Sequence, residues 1–264
     1  LRPRRALIVN PTYGDYRLAC QWAGVAARSF ALDPEEGFRL DFSRLAEELA
    51  GGELVFVCNP NNPTGRLTPS ADLHRLIGAH PDSLFLVDES YLPFTPEVSL
   101  LALPPLPNLL VLSSFSKIFG IPGLRLGLLT AGREHMAHFA ARCKPWGVNR
   151  LAQIAGEFLV ENGEPYRQQV LAFVADERPA VTAALAKLPG VRVFPGEANF
   201  ILSRLEGHTV SELHRQLLER YRIMIRNCGS FETLDGSYFR ISLKSGAANR
   251  LFLEATQAIL AENA

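Results

Sequence analysis

Four short apolar runs stand out in the first half of the chain: ALIVN (6–10), ELVFVCN (53–59), SLFLVDE (83–89) and NLLVLSSF (108–115). Each is continuously apolar instead of alternating, the pattern of parallel strands covered on both faces. Between them the period becomes that of helices with readable ends. Asp41 is expected to cap FSRLAEELA, which stops at Gly51-Gly52. Thr68 is expected to cap a helix with Pro69 at its first position and Leu73, Leu76 and Ile77 on its inner stripe. Strand, helix, strand, helix, strand is an α/β order with right-handed crossovers. After Pro145 the pattern changes. A helical stretch over 148–187 leads to the strands VRVF and NFILSRL, a helix at 210–219, the strands YRIMIR and SYFRISL, and a terminal helix from 246. The division predicted is a large domain at 1–147 and, at 148–264, a connecting helix with a smaller α+β domain.

Charge and cysteine content narrow the class. Lys+Arg and Asp+Glu both number 27, so no basic surface points to nucleic acid or to an acidic membrane. Cys20, Cys58, Cys143 and Cys228 are scattered singly, which argues against a disulfide framework or zinc ribbon and for a reducing cytoplasm. No stretch approaches 18 apolar residues. The opening LRPRRALIVN enters a strand directly, as a chain cut into at mid-domain would.

In an open parallel sheet, ligands bind beyond the carboxyl ends of the strands. The four runs deliver there PTYGDY, PNNPTG, Asp88 with Ser90 and Tyr91, and Ser114, Ser116 and Lys117. Taken singly, NPNNPTG reads as a turn, Asp88 as a helix cap and Lys117 as a solvated lysine. At one edge of one sheet the set suggests an amine that condenses with an aromatic, phosphorylated aldehyde cofactor. A carboxylate near a pyridine nitrogen keeps that nitrogen protonated and makes the ring an electron sink, a role Asp88 fits. Tyr91 and Asn62 suit the ring hydroxyl, and Tyr13 a stacking contact. Ser114, Ser116 and Arg125 suit a phosphate.

NPNNPTG, VDESY, SSFSKIFGIPGLRLG and YFRIS, in this order and spacing, resemble the fold-type I pyridoxal-phosphate enzymes of the class I/II aminotransferase family across essentially the whole chain. The resemblance implies a three-layer, mostly parallel sheet with a smaller C-terminal α+β domain, a pyridoxal 5′-phosphate cofactor and a homodimer. It makes Lys117 the catalytic lysine that carries the cofactor, Asp88 the partner of the pyridine nitrogen, and Tyr91 and Asn62 the ligands of the ring oxygen. Ser114, Ser116 and Arg125 fall on phosphate ligands, Tyr13 on the stacking aromatic, and Arg240 on the arginine for the substrate carboxylate. The family's N-terminal segment before RALIVN supplies a phosphate-binding turn, a substrate cover and a tyrosine reaching across the dimer. This sequence lacks it, and the expectation is a piece of a longer chain.

Within the family, IPGLRLG, PWGVNRLAQIAGE and IMIRNCGSFETLDGSYFRISLKS resemble the threonine-phosphate decarboxylases of cobalamin biosynthesis more than the histidinol-phosphate aminotransferases. That implies a small phosphorylated amino acid as substrate, with Arg226 as a second substrate-binding arginine; a surface ion pair is its alternative reading. Which bond at the substrate Cα stands perpendicular to the ring decides between decarboxylation and transamination, and residue types leave that open. A non-catalytic pyridoxal-phosphate-binding regulatory domain is a further alternative. The absence of G-x-x-x-x-G-K-[ST] and G-x-G-x-x-G argues against a nucleotide site. His135 and His138 lie i, i+3 without an evident third ligand, the pattern of a solvated helix face more than of a metal site.

Overall fold

Continuous apolar runs become the middle of a sheet because neither of their faces tolerates water. In the computed structural model, which describes residues 3–207 and 209–262, a six-stranded sheet has the order β2-β1-β3-β4-β5-β6. Its strands are β1 (Arg5–Asn10), β2 (Ala27–Ala31), β3 (Glu53–Cys58), β4 (Leu84–Asp88), β5 (Leu109–Ser114) and β6 (Gly127–Ala131). The first five run parallel and β6 joins the edge antiparallel to β5. The fold is therefore α/β with a mostly parallel sheet. Coverage is complete on β3, where all six residues are buried, and thins toward β4 and β6. Leu7, Val9, Val55, Val57, Phe85, Val87 and Val111 pack one face under the helix Ser70–Ala79, with Leu73 and Ile77 fully enclosed. Each such side chain contributes about 1.5–3 kcal/mol. The other face carries Ile8, Phe56 and Cys58 against Tyr16 and Cys20 of the helix Asp15–Trp22.

Two strands of this sheet escape the apolar pattern. In β2 only Phe30 of ARSFA is buried, and β6 is half exposed, so neither shows a continuous run. Asp41 caps its helix as expected, its carboxylate accepting from Arg44 N. Thr68 does not cap the next one. Its N–H and carbonyl are held by the Asn59 amide at 2.7 and 2.8 Å, the helix starts at Ser70, and Glu97 accepts from Ser70 N. A backbone already claimed by Asn59 is not free to turn into a helix there.

The C-terminal half forms a four-stranded sheet in the order β7-β8-β10-β9: β7 (Val191–Val193), β8 (Phe200–Leu205), β9 (Arg226–Asn227) and β10 (Tyr238–Ser242). The helical stretch at 148–187 is two helices, Arg150–Asn162 and Glu164–Leu185. They break at Gly163, where an added Cβ would lie 2.5 Å from Leu159 O and 2.7 Å from the Phe119 ring. YRIMIR is mostly not a strand. Tyr221 closes the helix Val210–Tyr221, Arg222 turns left-handed at φ 59°, and only Arg226–Asn227 pairs with β10.

The two sheets share apolar cores across residue 147. Cys228, Phe231 and Tyr238 belong to the cluster beneath the large sheet, and Tyr238 stacks on Phe194 at 5.7 Å. Phe94 and Ile118 in turn join the cluster of the C-terminal helices. Polar ties reinforce the junction: Arg17 forks onto Glu232 at 2.6 and 2.9 Å, and Arg192 reaches Glu35 at 2.7 Å. Among the described residues no helix is long and apolar enough to cross a membrane, and no cluster of three or more His, Cys, Asp or Glu is arranged to hold a metal. His135 binds the Pro107 carbonyl at 3.0 Å, and all four cysteines are free.

Candidate active site

The site grows out of three strand ends. After β3, the loop NPNNPTG mostly folds itself. Asn61 donates to the Pro11 carbonyl at 2.8 Å and to Thr64 Oγ1 at 3.0 Å, and accepts from Thr12 Oγ1 at 2.9 Å. Asn59 is spent on Thr68. The turn reading is therefore right for most of the motif, and Asn62 is the amide left to face the open space beyond the strands.

Asp88 ends β4 beside Cys58 of β3, its register partner. Its Oδ1 accepts from Ser90 N at 2.9 Å and its Oδ2 from the Tyr16 hydroxyl at 2.6 Å. Ser114 ends β5 and caps the single turn Phe115–Ile118 by accepting from Ser116 N at 3.2 Å, which brings both hydroxyls and Lys117 to the same rim. Lys117 is exposed on the cavity wall, with Nζ 5.6 Å from the centre of the Tyr91 ring. Tyr91 is braced edge-on by Phe200 at 4.9 Å. Arg125 follows in the left-handed region at φ 56°, and Gly127 lets β6 cross beneath this loop, since a Cβ there would lie 2.9 Å from Ser113 O. Non-glycine residues held at such φ values cluster at functional sites.

These groups line one cavity of about 290 Å³: Tyr13, Asn62, Asp88 and Tyr91 on one side, Ser114, Ser116, Lys117 and Arg125 on the other. All eight residues expected to hold the cofactor thus converge. Arg240 does not line the cavity but reaches it through a hydrogen bond to Asn62 Oδ1, with its guanidinium 4.7 Å from the centre of the Phe200 ring and its Nε buried without a partner among the described residues. Arg226 stands opposite Arg240 in the β9–β10 register but is held toward Ser230 and Phe231, along an adjoining groove of about 820 Å³.

Burial and partners set the proton states around Asp88. Burial, with Cys58 and Asp88 beside it, pushes the Tyr16 phenol well above its usual value, so it is a permanent donor. Burial likewise pushes the Cys58 thiol far up, and it stays neutral. The Tyr13 phenol, half exposed, is pushed up to about 12, chiefly by its hydrogen bond to Asp15. The donor set fits a flat phosphorylated heterocycle bearing an aldehyde: an amine, a carboxylate with its outward orientation fixed, an aromatic wall, and two hydroxyls with a guanidinium. Tyr16 and Cys58 were missed as site residues from sequence, and Ser90 was placed at its strand end there without a role. Tyr16 lay there in the strand-exit segment PTYGDY and Cys58 in the run ELVFVCN, each without a role.

Residues 2–259 match the family described as aminotransferase class I and II. The chain is 35% identical over 266 residues to the threonine-phosphate decarboxylase of Salmonella typhimurium (strain LT2), covering 98% of this chain and 72% of that protein. A solved L-threonine-O-3-phosphate decarboxylase from Porphyromonas gingivalis superposes with a TM-score of 0.87 at 34% identity, covering 98% of this chain and 78% of the other. A solved histidinol-phosphate aminotransferase from Clostridium acetobutylicum superposes with a TM-score of 0.91 at 28% identity, over 98% and 79% of the two chains.

Proposed function

Because the chain belongs to the aminotransferase class I and II family, whose cofactor, pyridoxal 5′-phosphate, is also this chain's, we propose that it decarboxylates a small phosphorylated amino acid, L-threonine O-3-phosphate, to an aminopropanol phosphate, with Lys117 carrying the cofactor. The bound cofactor supplies an electron sink for the pair released at the substrate Cα. The chain's own residues do the rest. Asp88 holds a proton at the ring nitrogen, and Asn62 and Tyr91 bind the ring oxygen. Ser114, Ser116 and Arg125 bind the cofactor phosphate, and Tyr13 covers the ring face. With the cofactor and substrate bound, Lys117 Nζ would be the group placed to move a proton at the Cα.

The observation that carries the substrate class is the pair of arginines, Arg226 and Arg240, opposite each other in register on β9 and β10. Two neighbouring cations suit a substrate with two anions: Arg240 for the carboxylate and Arg226 for the phosphate. The identity to the Salmonella decarboxylase supports the same reading, and 29% identity over 255 residues to an adenosylcobalamin biosynthesis bifunctional protein of Leptospira interrogans supports a place in cobalamin biosynthesis. Transamination of the histidinol-phosphate type is the second reading, favoured by the higher TM-score to the aminotransferase from Clostridium.

The deciding assay follows carbon dioxide and keto-acid release from phosphothreonine, with Lys117→Ala as the inactive control. Efficient transamination of histidinol phosphate without carbon dioxide release overturns the decarboxylase reading. A cytoplasmic homodimer completes the proposal. Leu151, Ile154 and Phe158 form an exposed apolar stripe at helical spacing, and Trp146, shortly before that helix in the chain, is 95% exposed; this is a face that a second copy would cover.

A further inference from the structure

Tyr16 touches two of the groups assigned to the cofactor ring. It is 6% exposed in the helix Asp15–Trp22, and its hydroxyl donates to Asp88 Oδ2 at 2.6 Å. Its ring stacks on Phe56 of β3 at 5.3 Å and meets the Tyr13 ring edge-on at 5.7 Å and 84°. The geometry points to Tyr16 as a positioning residue of the cofactor site, fixing the rotation of Asp88 and holding the Tyr13 ring in place. This rests on the pyridoxal-phosphate reading of the cavity and adds to it a residue that does not itself bind the ring.

The physics is that of a carboxylate with both oxygens donated to. Ser90 N holds Oδ1 and Tyr16 holds Oδ2, so Asp88 cannot rotate without losing a bond. Both bonds hold the carboxylate in one orientation, so the face it presents to the cavity is fixed. Tyr16 cannot take over the charge, because burial keeps its phenol protonated. The other titratable groups around Asp88 do not supply such a donor. Cys58, on the neighbouring strand, is a neutral thiol whose Sγ is turned to the Pro60 carbonyl. Glu89, next in the chain, is taken up by Ser99 and Leu100 N. Lys117 and Arg125 stand on the cavity wall. Filling space between Phe56 and Cys20 would need only a phenyl ring. The hydroxyl is what the inference depends on.

The test is Tyr16→Phe in the cofactor-loaded protein, read by cofactor affinity and by the pH midpoint of the visible absorption band of the lysine-linked cofactor. Without the hydroxyl Asp88 is held by Ser90 N alone and can turn away from the ring nitrogen, so the carboxylate would support a positive ring less firmly and the band would change at higher pH. The expected result is an upward shift of the midpoint with a cofactor Kd weaker by about tenfold, the loss of one hydrogen bond to a charged group. In an Asp88→Asn background the same substitution should shift neither, since the two residues act as one unit. An unchanged midpoint and affinity in a Tyr16→Phe protein that melts like its parent overturns the inference, as does an equal shift in the Asp88→Asn background. If Tyr16→Phe fails to fold, 3-fluorotyrosine at position 16 keeps the shape and strengthens the donor. The midpoint should then move down, and no movement overturns the inference. A parent protein with no band that depends on Lys117 fails the cofactor site itself, and this inference with it.

Discussion

Arg240 offers the sharpest quantitative test of the substrate assignment. Its guanidinium is pinned between Asn62 Oδ1 and the face of Phe200, and its buried Nε has no partner among the described residues. A planar fork held this way is prepared to take a carboxylate with two parallel bonds. Arg240→Lys keeps the charge and loses the fork. Each hydrogen bond between charged groups contributes about 1.5–3 kcal/mol, so the loss of one bond should lower kcat/KM for phosphothreonine by about 10- to 150-fold. The fold itself should lose little, about 1–2 kcal/mol, since the Asn62 bond and the contact with Phe200 are the interactions removed. The assay is steady-state kinetics on the loaded enzyme, with cofactor affinity and melting temperature measured alongside. Aminopropanol phosphate, which lacks the carboxylate, serves as the control ligand and should bind Arg240→Lys as it binds the parent. A kcat/KM within about threefold of the parent would refute the reasoning, as would an equal loss of affinity for the control ligand.

Three further outcomes follow from groups away from the chemistry. Glu53 is buried at the start of β3, and burial alone would raise its carboxyl; hydrogen bonds from Ser83, Ala50 N and Arg5 outweigh that and hold it below 4.5. A depressed carboxyl stabilises the fold above its unfolded value and loses that contribution as pH falls through the folded one. The melting temperature should therefore drop below about pH 4.5 more steeply in the parent than in Glu53→Gln, and parallel curves would argue against it. Gly163→Ala forces a Cβ against Leu159 O and the Phe119 ring, and should destabilise by about 1–3 kcal/mol in denaturant titration, with an unchanged midpoint counting against the packing described. Ile154→Asp puts a charge into the exposed stripe of the helix Arg150–Asn162 and should shift the protein toward monomer in analytical ultracentrifugation; an unaltered sedimentation profile removes that face from the proposed dimer.

How much of this was legible in the sequence depended on burial. β1, β3, β4 and β5 are central, so their runs are apolar and announce themselves. β2 and β6 sit at the sheet edges and are only partly covered, which leaves ARSFA and GLLTA without a signature. YRIMIR misled because Ile223 and Ile225 pack against the C-terminal helices from a loop, so their apolar character answers to a core and not to a ladder. The candidate site was readable because strand ends place residues by topology. Asp88, Ser114 and Lys117 need only the end of their strand to be known. Tyr16 lies in PTYGDY after β1, but nothing in that segment says what its hydroxyl would meet. Its contact with Asp88 spans 72 residues and exists only once the helix after β1 lies across β3 and β4.

The insertion of Cys228, Phe231 and Tyr238 into the core under the large sheet has a thermodynamic consequence. Neither lobe owns its interior, so heating should dissolve both in a single calorimetric transition. Cutting the chain at the junction would leave each piece with an unfilled apolar hollow. Arg240 is carried by the same strand as Tyr238, so the pocket's carboxylate grip and the scaffold's integrity would be lost at one temperature.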